Sequence, residues 1–213
     1  MRSKRAASLV RRGTVKFPTF SGVRCLMMPY VQGDPESVPD EYAPYREILT
    51  RCVIRRGDIG FLTIDESPVK GGKPHRGARA KYGRAVHTEA GKDPNRAYRW
   101  GGGGWGPVPH RVTLERDVRI LFANSISGSC AVWDAEHEDT SPDGDIGYAA
   151  DSYPYSNATF LAAGEVYEIG ILTPHESVPV QRDADRQFLR IVGSGVHGRE
   201  EYFTQNPLVP FGD

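Results

Sequence analysis

His87 and Glu89 stand two apart in the stretch RAVHTEA, and alternate residues of an extended chain point to the same side. An imidazole and a carboxylate so placed can offer two ligands to one cation. A third candidate lies far along the chain. His175, in LTPHESVPVQRDADRQFLRIV, sits in apolar, strand-like sequence; a polar turn follows, and a second strand begins with Arg186. Two histidines and one carboxylate can occupy one face of a ferrous ion and leave its other positions open. Arginine's rigid fork suits bidentate capture of a carboxylate beside such a site. A hairpin built for stability alone needs neither group.

Along the last strand Arg186, Phe188 and Arg190 alternate onto one face, with Gln187, Leu189 and Ile191 on the other. Two cations on an inward face are costly unless anions or carboxylates pair them; a bound anion would do so, at Arg186 or, should the register differ by one step of the pleat, at Arg190. The alternative is that both arginines point outward into surface pairs. His175 has its own plain alternative, a core histidine satisfied by backbone, and His87 and Glu89 have theirs, a solvated strand end. His137 and Asp139, in DAEHEDT, form a rival pair, but their acidic, turn-like neighbours suggest exposure. Asn124 and Ser125, in LFANSISG, are candidates for contacts to a cosubstrate or for building a turn.

These residues must be positioned by strands. Runs rich in Val, Ile, Phe and Tyr, separated by Gly, Pro, Asn and Asp, recur from GDIGFLTIDES through GRAVHTEA, HRVTLE, VRILFANS, SCAVWDA, ATFLAAGEVYEIGIL and HESVPV to RQFLRIV. About eight strands are expected. Before them, VPDEYAPYREILTRCV has Pro39, Asp40 and Glu41 suited to a first helical turn and Tyr45, Ile48, Leu49 and Cys52 at helical spacing, which predicts a helix packed outside the sheet. The expected architecture is mainly β, a jelly roll or barrel with one or two flanking helices. One domain is expected at residues 21–213, with its core at about 60–192 and a tail at 193–213, preceded by a basic N-terminal arm at 1–20.

This pattern resembles the Fe(II)/2-oxoglutarate-dependent oxygenases, whose fold is a double-stranded β-helix, a cupin-like jelly roll. TPHESVPVQRDADRQFLRIV looks like their second histidine and following arginine, GEVYEIGIL like the strand that leads to that histidine, and HTE like their first metal pair. The resemblance implies Fe(II) held by His87, Glu89 and His175, and 2-oxoglutarate as a cosubstrate gripped by Arg186. It implies a dioxygenase reaction in which the keto acid becomes succinate and carbon dioxide while a substrate is oxidised, by default hydroxylated. The family usually carries Asp where this chain has Glu89, so the carboxylate is displaced outward by one methylene. Two other classes stay open: a metal-free jelly roll that binds a ligand or serves in an assembly, and a cupin-like metalloenzyme that does not use 2-oxoglutarate.

Composition narrows little further. Lys plus Arg balance Asp plus Glu at 27 each, so net charge indicates no partner. No apolar run approaches the roughly 18 residues of a membrane span and no apolar signal centre opens the chain, so a cytoplasmic protein is expected. Cys25, Cys52 and Cys130 lack C-x-x-C spacing and read as reduced, partly buried thiols. The basic stretch Lys70 to Arg84 reads as a lid, with nucleic acid the less favoured partner. Trp100 and Trp105, among glycines, suggest a pocket wall for a small-molecule or peptide substrate, and Trp133 a core residue.

Overall fold

A computed structural model describes residues 9–75, 83–92, 95, 97–101 and 111–210. The chain is mainly β, with antiparallel sheets and a few short helices. Strands β1 (Leu9–Thr14), β2 (Arg24–Val31), β3 (Ile59–Val69), β7 (Arg119–Asn124), β10 (Glu165–Gly170) and β12 (Ala184–Val192) form a six-stranded sheet in the order β1-β10-β7-β12-β3-β2. A three-stranded sheet has the order β11-β8-β9, from β8 (Cys130–Val132), β9 (Thr159–Phe160) and β11 (His175–Ser177). A four-stranded sheet joins β4 (Ala90–Lys92), β5 (Tyr98–Trp100), β6 (Thr113–Leu114) and β13 (Val196–His197) in the order β13-β6-β5-β4.

The large sheet is buried on both faces, which is why its strands read as nearly continuous apolar runs. One face contributes Phe61, Ile120, Phe122, Tyr167, Phe188 and Val192 to a core shared with Ala90, Trp100, Leu114, Cys130, Val132 and Val196 of the smaller sheets. The other face contributes Leu62, Ile64, Leu121, Leu189 and Ile191 to a core capped by Tyr42, Tyr45, Ile48 and Leu49. Those capping residues belong to the segment expected as one helix. It folds instead as a 3-10 helix, Asp40–Tyr45, followed by α1 (Arg46–Arg51). Pro44 has no amide hydrogen to donate and lies in the 3-10 helix, two residues before α1 begins. The packing outside the sheet is as the spacing implies.

Residues 9–14 of the basic N-terminal arm form β1, paired with β10 at the edge of the large sheet. Strand β2 is irregular: its register with β3 shifts between Cys25 and Met28, where Met27 takes a φ of 48°. Met27 therefore joins the inner core and Met28 the outer one. All three cysteines are buried and outside any disulfide. Among the described residues no helix is long and apolar enough to cross a membrane.

Candidate functional site

Strand β11 runs antiparallel to β8, with His175 opposite Val132 and Ser177 opposite Cys130. His87 lies in no strand, yet it forms a bridge to His175: the His87 amide donates to the His175 carbonyl at 3.0 Å and the His175 amide donates back at 2.9 Å. Residues 86–91 are pinned from their other side by 141–145. The Thr88 amide donates to the Gly144 carbonyl at 2.9 Å, and a Cβ at Gly91 would lie 1.9 Å from the Pro142 carbonyl oxygen. Only glycine permits that approach. The result is that two histidines 88 positions apart in sequence have ring centroids 4.2 Å apart.

Both rings are oriented by backbone. His87 Nδ1 is 2.7 Å from the Ala85 carbonyl oxygen, and His175 Nδ1 is 2.9 Å from that of Thr173. A carbonyl only accepts, so in the neutral ring each Nδ1 carries the hydrogen and each Nε2 the lone pair, the tautomer a metal ligand needs. His175 Nε2 lies 3.6 Å from Glu89 Oε1. Glu89 is 4% exposed, and burial by itself would raise its pKa. Arg190, with smaller contributions from His175 and His87, reverses the sign and holds the carboxyl well below the usual range. Arg190 Nη1 reaches both carboxylate oxygens at 2.9 Å; its Nη2 meets Thr63 Oγ1 at 3.4 Å, and its guanidinium lies 4.6 Å from the centre of the Trp100 ring.

His87, Glu89 and His175 share a pocket of about 30 Å³ with His75, Phe122, Cys130, Ser177, Arg186 and Phe188, room for about two waters on that measure. Arg186 is 2% exposed, and its Nε and Nη1 have no hydrogen-bond partner. Burial lowers its pKa to about 10 against the opposing pull of Cys130 and Asp65. Its guanidinium lies 4.9 Å from the Phe188 ring centre, a contact that offsets only part of its desolvation. A buried cation with unmet donors facing a cavity favours negative charge there.

Asn124 and Trp100 depart from the pocket roles considered for them, and Arg190 faces inward but is held by Glu89. Asn124 is buried but does not line the pocket: its Oδ1 accepts from Ser129 Oγ at 2.6 Å and from the Ile126 amide at 3.2 Å, closing a turn. His137 and Asp139 lie elsewhere, with the His137 ring nitrogens 2.7 Å from Tyr153 Oη and 3.2 Å from Tyr148 Oη and Asp139 exposed. Trp100 is a core residue stacked on Arg190 and not a pocket wall, Trp133 is also buried, and Trp105 lies outside the described residues, as does part of the basic stretch after His75. Sequence reasoning assigned no role to His75, which lines the pocket with its Nε2 3.1 Å from Ser177 Oγ. It also read Cys130 as a plain buried thiol, although that residue lines the pocket too.

Among the described residues no three His, Cys, Asp or Glu side chains stand gathered in a group that could hold a metal ion. The chemistry of the donors nonetheless fits a divalent cation. The two imidazoles are in the ligating tautomer, and an ionised carboxylate has about four lone-pair sites, of which Arg190 engages two. No protein-family model matches the sequence, and no curated protein is significantly similar to it.

Proposed function

We propose that the protein is a metal-dependent oxygenase of the 2-oxoglutarate-using kind, acting on a substrate that its pocket does not identify. The observation that carries the reading is the meeting of His87, Glu89 and His175 in one pocket with the buried, unpartnered Arg186. The order of the strands supports a jelly roll. From β3 onward the chain passes from the large sheet to the His87 segment beside β11, through β4, β5 and β6 of the four-stranded sheet, back to β7, out to β8 and β9, back to β10, out to β11 and home to β12.

Bound Fe(II) would supply the oxidative chemistry, held by His87, Glu89 and His175. The protein's residues supply the rest. The Ala85 and Thr173 carbonyls fix the two imidazoles, and Arg190 keeps Glu89 ionised and aimed. Arg186 gives the keto acid's far carboxylate the partner that the guanidinium lacks. Phe122 and Phe188 keep bulk water from the reacting centre.

The test is anaerobic reconstitution with Fe(II), followed by measurement of succinate formed from 2-oxoglutarate in air. Slow succinate production without added substrate is expected from the wild type, with loss of both metal binding and turnover in His175→Ala. Full metal binding by His175→Ala counts against the site. Activity untouched by Arg186→Glu would leave a cupin-like metalloenzyme that does not use the keto acid. The absence of stoichiometric metal in the wild type would favour a metal-free binding barrel, in which Arg190 and Glu89 are a structural pair.

A further inference from the structure

On the opposite face of β11 from the pocket, Glu176 is 4% exposed and makes its own set of contacts. Its Oε2 accepts from Arg84 Nε at 3.2 Å, from Arg84 Nη2 at 2.6 Å and from Tyr155 Oη at 3.1 Å. Its Oε1 accepts from the Ala85 amide at 3.1 Å. Arg84 is held in turn by the Ala150 and Tyr153 carbonyls at 3.0 and 2.9 Å and lies 4.3 Å from the Tyr155 ring centre. The four acceptances leave this carboxylate well satisfied despite its burial.

The residues it grips matter more than their number. Glu176 adjoins His175, and the Ala85 it holds is the residue whose carbonyl receives the His87 Nδ1 hydrogen. The His87 segment has no ladder of its own: His87 bridges His175 of β11 on one side and Asp145 on the other. Both bridges fall at His87 itself and leave Ala85, whose carbonyl aims the ring, outside them. The Glu176 carboxylate supplies a further point of attachment at Ala85, two residues before His87.

We infer that Glu176, with Arg84, is a positioning residue that sets the ring orientation and tautomer of His87 relative to His175 from behind the sheet. The role rests on the proposed metal site for its use in catalysis, but the ordering itself exists in metal-free protein and is measured there. In Glu176→Ala at pH 8 the His87 ring is expected to lose its single Nδ1–H tautomer in nitrogen-15 NMR spectra and to average between both. His175, held by Thr173, should keep its own. The His87 amide should exchange with deuterium about tenfold faster, while the amides paired between β12 and β3 keep their wild-type rates. Affinity for Co(II) should fall by about ten- to a hundredfold, the usual effect of removing a group that orients a ligand.

Arg84→Met, which leaves the Glu176 carboxylate and its Ala85 contact in place, is the milder variant should Glu176→Ala not fold; it should shift His87 in the same sense but less. A folded Glu176→Ala protein with unchanged His87 tautomer and amide exchange overturns the inference, as does faster exchange spread evenly over all strands. Wild-type protein that binds no Co(II) while Glu176→Ala still disturbs His87 would remove the metal reading alone.

Discussion

Arg190 and Glu89 pose the sharpest energetic question at the scale of single residues. Both are buried, and each is the other's main compensation. Removing one member of such a pair leaves an uncompensated charge and typically costs about 3–5 kcal/mol, whereas replacing both by groups of similar size is often close to neutral. Glu89→Ala is therefore expected to destabilise the metal-free protein by about 3 kcal/mol or more in urea titrations. The double variant Glu89→Gln with Arg190→Met should recover much of that loss. Equal destabilisation in the single and double variants would mean that the pair contributes packing and not charge compensation. Much of the site is legible at this scale because its residues follow local rules: HTE puts two side chains on one side of an extended segment, and alternation along RQFLRIV puts Arg186 and Arg190 on the inward face. The pairing of Arg190 with Glu89 is not legible, since it depends on Thr63 and Trp100 from other strands. His75 is invisible for the same reason: nothing near it in sequence indicates that Ser177 will be its neighbour.

Elements are joined by another buried carboxylate, Glu66 of β3. Its Oε2 accepts from the Ser21 and Gly22 amides at 2.6 Å each, and its Oε1 from Tyr45 Oη at 2.6 Å and from Gln187 Nε2 at 2.8 Å. One side chain thus clamps the segment before β2, the 3-10 helix and β12 together. Burial opposes ionisation, but these donors, Tyr45 and Gln187 foremost, prevail and hold the carboxyl below its ordinary pKa. Glutamine at this position must turn an NH₂ donor toward donors whichever way its amide is flipped. Glu66→Gln should thus lose about 2 kcal/mol at pH 7, the scale of a hydrogen bond to a charged group. A lowered folded-state pKa gives stability that is complete above the unfolded value, about 4.3, and is lost as pH falls below it. The difference between wild type and variant should accordingly shrink between pH 5 and pH 3 in urea titrations; a constant difference would show that ionisation of Glu66 is irrelevant to the clamp. The elements themselves are unevenly legible. β3, β7, β10 and β12 follow from apolar runs bounded by turn residues, whereas β2 hides behind Pro29 and the bulge at Met27. GRAVHTEA reads as a strand but forms only two single-residue bridges at His87, to His175 and Asp145, and the start of β4; its close packing against 141–145 is a tertiary contact that local β propensity does not reveal.

For the whole molecule, burial of the large sheet on both faces makes β12, the strand that carries Arg186 and Arg190, part of the main stabilising structure. A ligand that reaches Arg186 should therefore be felt as global stability. Unoccupied, this guanidinium is a burden: its lowered pKa means that the penalty of burying the charge is fully present at neutral pH and is relieved only as pH rises through about 10. Arg186→Met removes that penalty and keeps most of the volume, so the ligand-free variant should melt at or above the wild-type temperature. A ligand at about a hundred times its Kd adds about 2.7 kcal/mol, and a domain of this size shifts by about 2–4 °C for each kcal/mol. Adding Co(II) and 2-oxoglutarate together under nitrogen should raise the wild-type melting temperature by about 5–10 °C. His175→Ala should gain little from either compound, and Arg186→Met should respond to the metal but not to the keto acid. Equal stabilisation of wild type and Arg186→Met by 2-oxoglutarate would place the dicarboxylate elsewhere, and the buried cation would then need a different anion to account for it.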